Sequence, residues 1–293
     1  MNHPSTPPAG STRLTQIGPV LLGATSFACA DVLSKFTLKA GADVLTVTAV
    51  RGVIGLAVLF LWLRLNPRPA LTVRARWISL GLGILFAGNV FLLFKAFEVI
   101  EVPVAILTYF VYPLLTGLVA AATGLEKITW RGAASAIVAF LGLALMIGAH
   151  PTALAVGGIL AALAAACCRV AILLVTRATL LAADALQITW YSMVSSTVLF
   201  VAVALATLNW QPPVTPAGWI ALVVLSVAIT TGILGIFAST IRIGPFRTAL
   251  FMNLEPPLAT IGSAFLLGEL ITPLQAVGGA VMIGALVAFQ LRR

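Results

Sequence analysis

Two stretches of the chain are copies of one pattern. The first reads Pro113-Leu-Leu-Thr-Gly-Leu-Val-Ala-Ala-Ala-Thr-Gly-Leu-Glu126-Lys-Ile-Thr129, and the second reads Pro256-Pro-Leu-Ala-Thr-Ile-Gly-Ser-Ala-Phe-Leu-Leu-Gly-Glu269-Leu-Ile-Thr272. In both, the glutamate follows the first proline by thirteen residues and the threonine follows the glutamate by three. The copies lie 143 residues apart, about half of the chain. Such an internal duplication is typical of membrane carriers, which build one central site between two related halves.

The composition requires a membrane. The chain is 61% hydrophobic and 9% charged, with a mean hydropathy of +1.12, whereas soluble domains carry roughly 25% charged residues. Continuous apolar runs, rather than alternating ones, favour helices over a barrel. The sequence therefore predicts an all-α integral membrane protein with ten transmembrane helices, near residues 17–39, 42–64, 77–97, 103–123, 129–149, 155–177, 185–207, 217–240, 246–267 and 271–290.

The net charge and the cysteine positions argue against nucleic acid and metal as partners. The net charge of +9 does not indicate nucleic-acid binding, because the basic residues lie between apolar segments rather than on one soluble face. Cys29, Cys167 and Cys168 lie inside apolar segments without ligand spacing, so they predict packing residues and no metal site or cofactor. Residues 1–16 are predicted to be a short disordered cytoplasmic tail rather than a signal peptide, because the apolar run that follows is too long.

The basic residues also predict an orientation, since lysine and arginine mark the cytoplasmic side. With the N-terminus inside, the inner ends and loops hold Arg13, Arg64, Arg68, Arg74, Arg76, Lys127, Arg131, Arg177, Arg242, Arg247, Arg292 and Arg293. The outer side holds Lys39 and Lys95 together with the acidic residues Asp43, Glu98, Glu101 and Glu269. Both termini are therefore predicted to be cytoplasmic.

Matched loops of the two halves carry opposite charge. The 64–76 loop has four arginines, whereas its counterpart at 209–216 has none, and the acidic 98–102 turn corresponds to the turn that carries Arg242 and Arg247. Five spans per half force the second copy to cross the membrane upside down. The sequence therefore predicts two inverted five-helix repeats, at 17–149 and 150–293.

These residues resemble a known family. The patterns Tyr112-Pro113…Glu126…Thr129 and Leu254-Glu255-Pro256…Gly268-Glu269…Thr272…Gly278, Arg51 inside span two and the Phe94-Lys-Ala-Phe97 stretch are similar to the EamA-type carriers of the drug/metabolite transporter superfamily. The resemblance implies ten helices and export of amino acids or other small metabolites across the bacterial inner membrane. Within the family the chain looks most like aromatic and neutral amino-acid exporters. It differs between its own halves, with Tyr112 where the second half has Glu255.

Prolines interrupt spans four and nine at matching places. Pro113, Pro256 and Pro257 cannot donate the amide hydrogen bond that continues a helix. Freed backbone groups in a membrane are tolerated where they line a cavity or find partners. Matched interruptions in two repeats therefore point to a central site with gating breaks, although kinks that only shape packing are compatible with the same residues.

Four ionisable residues are predicted to lie deep in the membrane, where each costs roughly 2.5–3.5 kcal/mol on insertion scales. Asp31 and Arg51 are each ten residues from the turn between spans one and two, which places them at one depth. They can form a static ion pair or a functional one, and Lys35 is another partner for Asp31. Arg169 and Glu255 form a possible second pair by the same depth argument.

Glu255 is the carboxylate chosen for substrate ammonium binding or proton carriage, with a structural acceptor role as the alternative. An amino acid also offers a carboxylate, for which Arg51, Arg169 and Lys95 are the candidates. The aromatic and amide residues proposed to line the pocket or to bond a neighbouring helix are Tyr109, Tyr112, Trp190, Tyr191, Asn89 and Asn253.

The sequence favours a secondary transporter that works by alternating access. The alternative substrates are nucleosides, drugs or other metabolites of the same superfamily. An intramembrane enzyme is disfavoured because no HExxH, GxSxG or phosphate-binding loop is present, and a channel is disfavoured because one pseudo-twofold copy supplies no ring of polar residues. The expected partners are a small-molecule substrate, membrane lipid and, as an open question, protons; two fused halves make a monomeric pathway sufficient.

Overall fold

The computed structural model describes the backbone of residues 9–148, 155–208 and 210–291, and the side chains of 15–148, 155–208 and 210–290. These ranges form twelve helices: α1 (Ala9–Lys39), α2 (Val44–Leu65), α3 (Val73–Phe97), α4 (Val102–Tyr109), α5 (Tyr112–Ala122), α6 (Trp130–Ile147), α7 (Val156–Thr179), α8 (Ala185–Thr207), α9 (Pro216–Ile243), α10 (Pro245–Met252), α11 (Glu255–Leu267) and α12 (Pro273–Leu291).

Over the described ranges, these helices supply ten segments that are long and apolar enough to cross a membrane. The pairs α4–α5 and α10–α11 each make one broken span. The ten predicted spans are confirmed, with most ends within a few residues. Span three begins earlier than predicted, at Val73, because the Thr72 hydroxyl accepts a hydrogen bond from the Ala75 N–H at 3.3 Å and caps the helix.

The predicted disordered tail needs a correction. α1 begins at Ala9, so residues 9–16 are helical and continue the first span. Nothing between Ala9 and Thr15 breaks a helix outright, and the tail's prolines at positions 7 and 8 precede its start. The first part of the predicted tail, residues 1–8, lies outside the described residues.

The threonine that closes each copy of the sequence repeat is a helix N-cap. The Thr129 hydroxyl accepts from the Gly132 N–H at 3.2 Å, and the Thr272 hydroxyl accepts from the Gln275 N–H at 3.2 Å. Each cap satisfies an amide that the first turn of the following helix leaves unpaired. The repeated pattern thus fixes where α6 and α12 begin.

The two halves interlock rather than sit side by side. α1 packs along α9, α3 packs along α7, and α6 packs against α12. At the α6–α12 crossing a side-chain carbon on Gly142 would lie 2.8 Å from the Gly278 carbonyl oxygen. Only glycine permits that approach of the two backbones, which is how helices pack closely in lipid.

Five spans in each half make the second half cross the membrane in the opposite sense to the first. We call the two ends of the bundle the Glu126 end, which also holds Arg242 and Arg247, and the Glu269 end, which also holds Lys39 and Asp43. At the Glu126 end, Pro19 cannot donate to the Thr15 carbonyl, and an Arg242 Nη1–H donates to that carbonyl at 3.4 Å.

Candidate functional site

The site is organised by two helix breaks that obey the 143-residue offset. α4 ends at Tyr109 and α5 begins at Tyr112, while α10 ends at Met252 and α11 begins at Glu255. Pro113 and Pro256 follow as the second residues of α5 and α11. Both predicted interruptions are therefore present in the structure, and they place Tyr112 and Glu255 at equivalent positions in the two repeats.

Arg169 of α7 lies in an aromatic cage beside the first break. Its side chain is buried, with 6% of the residue exposed. The guanidinium carbon is 5.6 Å from the centre of the Phe27 ring and 5.7 Å from the ring centres of Phe86 and Tyr112. These distances suit cation–π attraction, which is strongest where water is excluded. The rings come from α1, α3 and α5, so three helices fix one cation.

No carboxylate of the described residues lies within 4 Å of Arg169, because the ion pairs there are Lys35–Glu269, Lys95–Glu98 and Arg247–Glu126. Glu255 acts on Arg169 only at longer range. The Tyr112 hydroxyl is buried near the guanidinium but has no hydrogen-bond partner of good geometry among the described residues. The predicted Arg169–Glu255 pair is therefore a pair of neighbours rather than a direct contact.

Asp31 and Glu255 come together across the α1–α11 interface. Asp31 lies near enough to Glu255, Arg51 and Lys35 to interact with their charges. Two neighbouring carboxylates repel each other when both are ionised, and a proton on one of them relieves the repulsion. Asp31 is exposed and Glu255 is half-buried.

Arg51 of α2 faces the same region from the other side. It borders a cavity of about 50 Å³ whose walls are mostly apolar, and the lining includes Thr48, Phe86, Met193, Thr197 and Phe200. The Phe86 side chain belongs both to this cavity and to the cage around Arg169. Among the described ion pairs Arg51 has no direct partner within 4 Å, so the predicted Asp31–Arg51 pair also interacts across a gap.

The predicted amides are buried near these groups. The Asn89 Nδ2 donates to the Ala165 carbonyl oxygen at 2.7 Å, which ties α3 to α7, and Asn89 also interacts with the Tyr109 hydroxyl. Asn253 is 3% exposed and lies in the break between α10 and α11. The helix-bonding role therefore accounts for the Nδ2 group of Asn89, while Tyr109 and Asn253 border the two breaks.

Three predicted site residues lie elsewhere. Lys95 pairs with Glu98 at 2.8 Å, one turn away at the Glu269 end of α3. Trp190 packs on Phe60 with ring centres 6.2 Å apart. The guanidinium carbon of Arg76, in α3, lies 6.0 Å from the centre of the Tyr191 ring. Lys95 lies elsewhere because it has a charge partner three residues along the chain. Trp190 and Tyr191 lie elsewhere because they fill the interface of α8 with α2 and α3.

Other residues of this region were not predicted. Phe27 precedes Asp31 by one helical turn and Phe86 precedes Asn89 by three residues, so helical spacing from the polar residues was the available signal.

A second cavity, of about 120 Å³, opens at the Glu269 end and is lined by Lys35, Thr260, Ser263, Glu269 and Gln275 among others.

That second cavity is lined by α1 and α11, the helices that carry Asp31 and Glu255, and it shares no lining residue with the cavity beside Arg51. Lys35 is one turn beyond Asp31 on α1, and Ser263 is about two turns beyond Glu255 on α11. The Lys35 ammonium donates to Glu269 at 2.9 Å and to the Ser263 hydroxyl at 3.3 Å. The hydrogen bond from Lys35 lowers the pKa of the Glu269 carboxyl from its ordinary value of 4.5.

Comparisons with known proteins agree with this architecture. A solved structure titled only "Crystal structure of protein" superposes with a TM-score of 0.79 over 95% of this chain and 100% of its own length. At 20% sequence identity it shows that the fold is shared and no more. A search of curated proteins with this sequence gives no significant match.

The sequence itself identifies the family. The model of the EamA-like transporter family matches twice, over residues 16–148 and 156–289, which together cover most of the chain. Each match takes in one five-span half, with one of the two helix breaks and one copy of the proline–glutamate–threonine pattern. The protein is thus a multi-pass membrane protein that belongs to the EamA-like transporter family of the drug/metabolite transporter superfamily.

Proposed function

We propose that the protein exports small zwitterionic metabolites, aromatic or neutral amino acids above all, across the bacterial inner membrane by alternating access. The observation that carries the proposal is a group of two arginines and two carboxyl groups beside the helix breaks: Arg169 contacts Tyr112 and lies near Glu255, Glu255 lies near Asp31, and Asp31 lies near Arg51. Arg51, Arg169, Asp31 and Glu255 carry no direct ion pair to one another within 4 Å in the described structure. Charges left apart in this way are arranged for a ligand that bears both signs.

Arg169 is the proposed carboxylate partner. A guanidinium offers planar, bidentate donation to a carboxylate, and the aromatic cage holds this one without consuming its donors. A static structural arginine in a membrane would instead be expected to pair with an acidic residue or with backbone carbonyls. The cage therefore supports a binding role for Arg169.

Asp31 and Glu255 are the proposed ammonium partners. An ammonium brings three donors to a pair of carboxyl groups that otherwise needs a proton to avoid repulsion. Substrate and proton then compete for the same two carboxyl groups, which is the requirement for exchange of one for the other. We propose proton–substrate antiport on this ground, with protons as the second partner.

The side chain of the substrate is proposed to occupy the cavity beside Arg51. Phe86, Met193 and Phe200 give it an apolar wall, and Thr48 and Thr197 add hydroxyls. Phe86 lies between the cage and the cavity, so a ligand carboxylate on Arg169 would leave its side chain directed past this ring. This arrangement favours neutral side chains over charged ones.

The test is counterflow in proteoliposomes. Purified protein is reconstituted with a panel of unlabelled amino acids, nucleosides and cationic drugs inside, and uptake of the matching labelled compound is followed with and without a pH gradient. We expect saturable exchange of neutral or aromatic amino acids that exceeds protein-free vesicles. Exchange of nucleosides or drugs alone would replace the substrate assignment, and a non-saturating ionic current would contradict a carrier.

A further inference from the structure

The glutamate of the repeated sequence pattern closes one end of the bundle. Glu126 follows α5, and its Oε2 accepts a hydrogen bond from the Phe246 N–H at 2.9 Å, in the first turn of α10. Its Oε1 lies 3.4 Å from the Arg247 Nε, and the side chain is only 11% exposed. A carboxylate at a helix N-terminus satisfies an unpaired amide and the positive end of the helix dipole. Glu126 thus joins the first repeat to the second.

The surrounding packing is shaped for this contact. Gly244 has φ +95°, and a side-chain carbon there would lie 2.5 Å from the Glu126 Oε2. A side-chain carbon on Gly117 of α5 would lie 2.9 Å from the Phe246 ring. Two glycines therefore let α5 and the start of α10 approach each other, and α5 packs on α10 along this seam.

The equivalent glutamate of the second repeat does something different. Glu269 follows α11 at the same offset of 143 residues, but it pairs with Lys35 at 2.9 Å and 43% of its side chain is exposed. Within the described structure the start of α4 has no side-chain cap, and α11 makes no packing with α4 comparable to that of α5 with α10. The bundle is therefore closed at the Glu126 end and open at the Glu269 end, where the cavity beside Lys35 lies.

We infer that Glu126 and Glu269 are reciprocal latches of the transport cycle. This inference rests on the proposed alternating access. In the opposite state Glu126 leaves the start of α10, and Glu269 leaves Lys35 to accept from the N–H groups at the start of α4. By the charge asymmetry of the loops the Glu126 end faces the cytoplasm, so the described state is open to the outside.

The two latches differ in strength. Arg247 corresponds under the 143-residue offset to Val104, so the second latch has no cation beside the helix terminus. Phe246 corresponds to Pro103, which has no N–H to donate. The Glu126 latch therefore makes the stronger contact, which accounts for the closed Glu126 end of the described structure.

The test measures distances at both ends without substrate. In a background with Cys29, Cys167 and Cys168 replaced by serine, one spin-label pair at Ala122 and Arg242 reports on the Glu126 end. A second pair at Val99 and Leu270 reports on the Glu269 end; these four positions are all exposed. Electron–electron distance distributions are recorded for each pair in lipid nanodiscs.

Glu126→Gln is expected to add a 122–242 population longer by roughly 5 Å, the rise of one helical turn, with a matching shorter 99–270 population. Glu269→Gln alone is expected to leave the 122–242 distribution unchanged. The double variant is expected to open the Glu126 end without the shortening at 99–270, because the second latch is gone.

Three results would overturn the inference: wild-type distributions in Glu126→Gln, a 122–242 change in Glu269→Gln equal to that in Glu126→Gln, or full 99–270 shortening in the double variant. If Glu126→Gln does not fold, Arg247→Gln replaces it, since it removes one partner and keeps the Phe246 amide bond. It should give a smaller shift in the same direction, and no shift overturns the inference. Because no substrate is used, these results are independent of whether amino acids are transported.

Discussion

Replacing Arg169 with methionine separates a binding role from a structural one. The guanidinium is buried among three rings and has no described carboxylate within 4 Å. Because Arg169 has no direct ion-pair partner among the described residues, its replacement leaves no carboxylate unpaired and removes the cost of burying a charge, and a thioether packs well against aromatic rings. We therefore expect Arg169→Met to unfold at the same temperature as the wild type or a higher one.

Binding should respond in the opposite direction. Two charge-assisted hydrogen bonds to a substrate carboxylate contribute at least about 1.5 kcal/mol each. Their loss weakens binding by roughly 150-fold, since about 1.4 kcal/mol is a factor of ten. Counterflow of a neutral amino acid in proteoliposomes measures the half-saturation concentration, and a thermal melt in detergent measures stability on the same preparation.

The matched control is Arg177→Met, two turns further along α7. An Arg177 Nη1–H donates to the Ile241 carbonyl oxygen, outside the central region, so half-saturation should stay near the wild-type value. A wild-type half-saturation concentration in Arg169→Met would refute the binding role. A large drop in its melting temperature with unchanged transport would assign Arg169 to structure alone.

Other substitutions test neighbouring parts of the argument. Asp31→Asn and Glu255→Gln should each fold and lose proton-driven uptake, and retention of pH-gradient coupling in both would exclude the carboxyl pair as the proton site. Gly142→Leu should lower the melting temperature, because the added side chain meets the α12 backbone, and an unchanged melt would contradict the close crossing. Because the pKa of Glu269 is lowered, its ion pair with Lys35 is formed above the ordinary carboxyl pKa of 4.5. The ion pair is lost only as the pH falls through the lowered pKa. Because this ion pair does not titrate above the ordinary value, any pH dependence of transport near neutral pH should persist in Glu269→Gln, and its loss there would assign the titration to Glu269.

The fold was predictable because lipid leaves few alternatives. Every backbone amide in a membrane needs an internal partner, so long apolar runs read directly as helices. The repeated proline gave the two broken spans, and the odd number of spans per half gave the inversion. Residues 9–16 were mispredicted because polar composition was taken as disorder, although a helix that is already formed continues at little cost.

Sequence depth singles out the charged residues of the candidate site more readily than its aromatic residues. An ionisable residue deep in an apolar run has few explanations other than function, and Asp31, Arg51, Arg169 and Glu255 indeed border one region of the bundle. Aromatic residues are common on lipid-facing surfaces, so their sequence positions do not distinguish a cage from an anchor. Trp190 and Tyr191 were therefore grouped with Tyr112, although they contact Phe60 and Arg76, and the cage residues Phe27 and Phe86 were not singled out.

Inverted repeats give the bundle two equivalent ends, whereas the proposed function requires one site that binds one asymmetric ligand. The helices and their breaks repeat in the two halves, whereas the side chains at the breaks differ. Helix breaks, N-capping threonines and latch glutamates repeat at the same offset, whereas the first residue after each break is Tyr112 in one half and Glu255 in the other. The tyrosine contributes to the cage of a cation, and the glutamate joins a carboxyl pair. Under the proposed function, a carboxylate and an ammonium on one small molecule would be held across the pseudo-twofold axis, while the repeated elements around them would move from one state to its mirror.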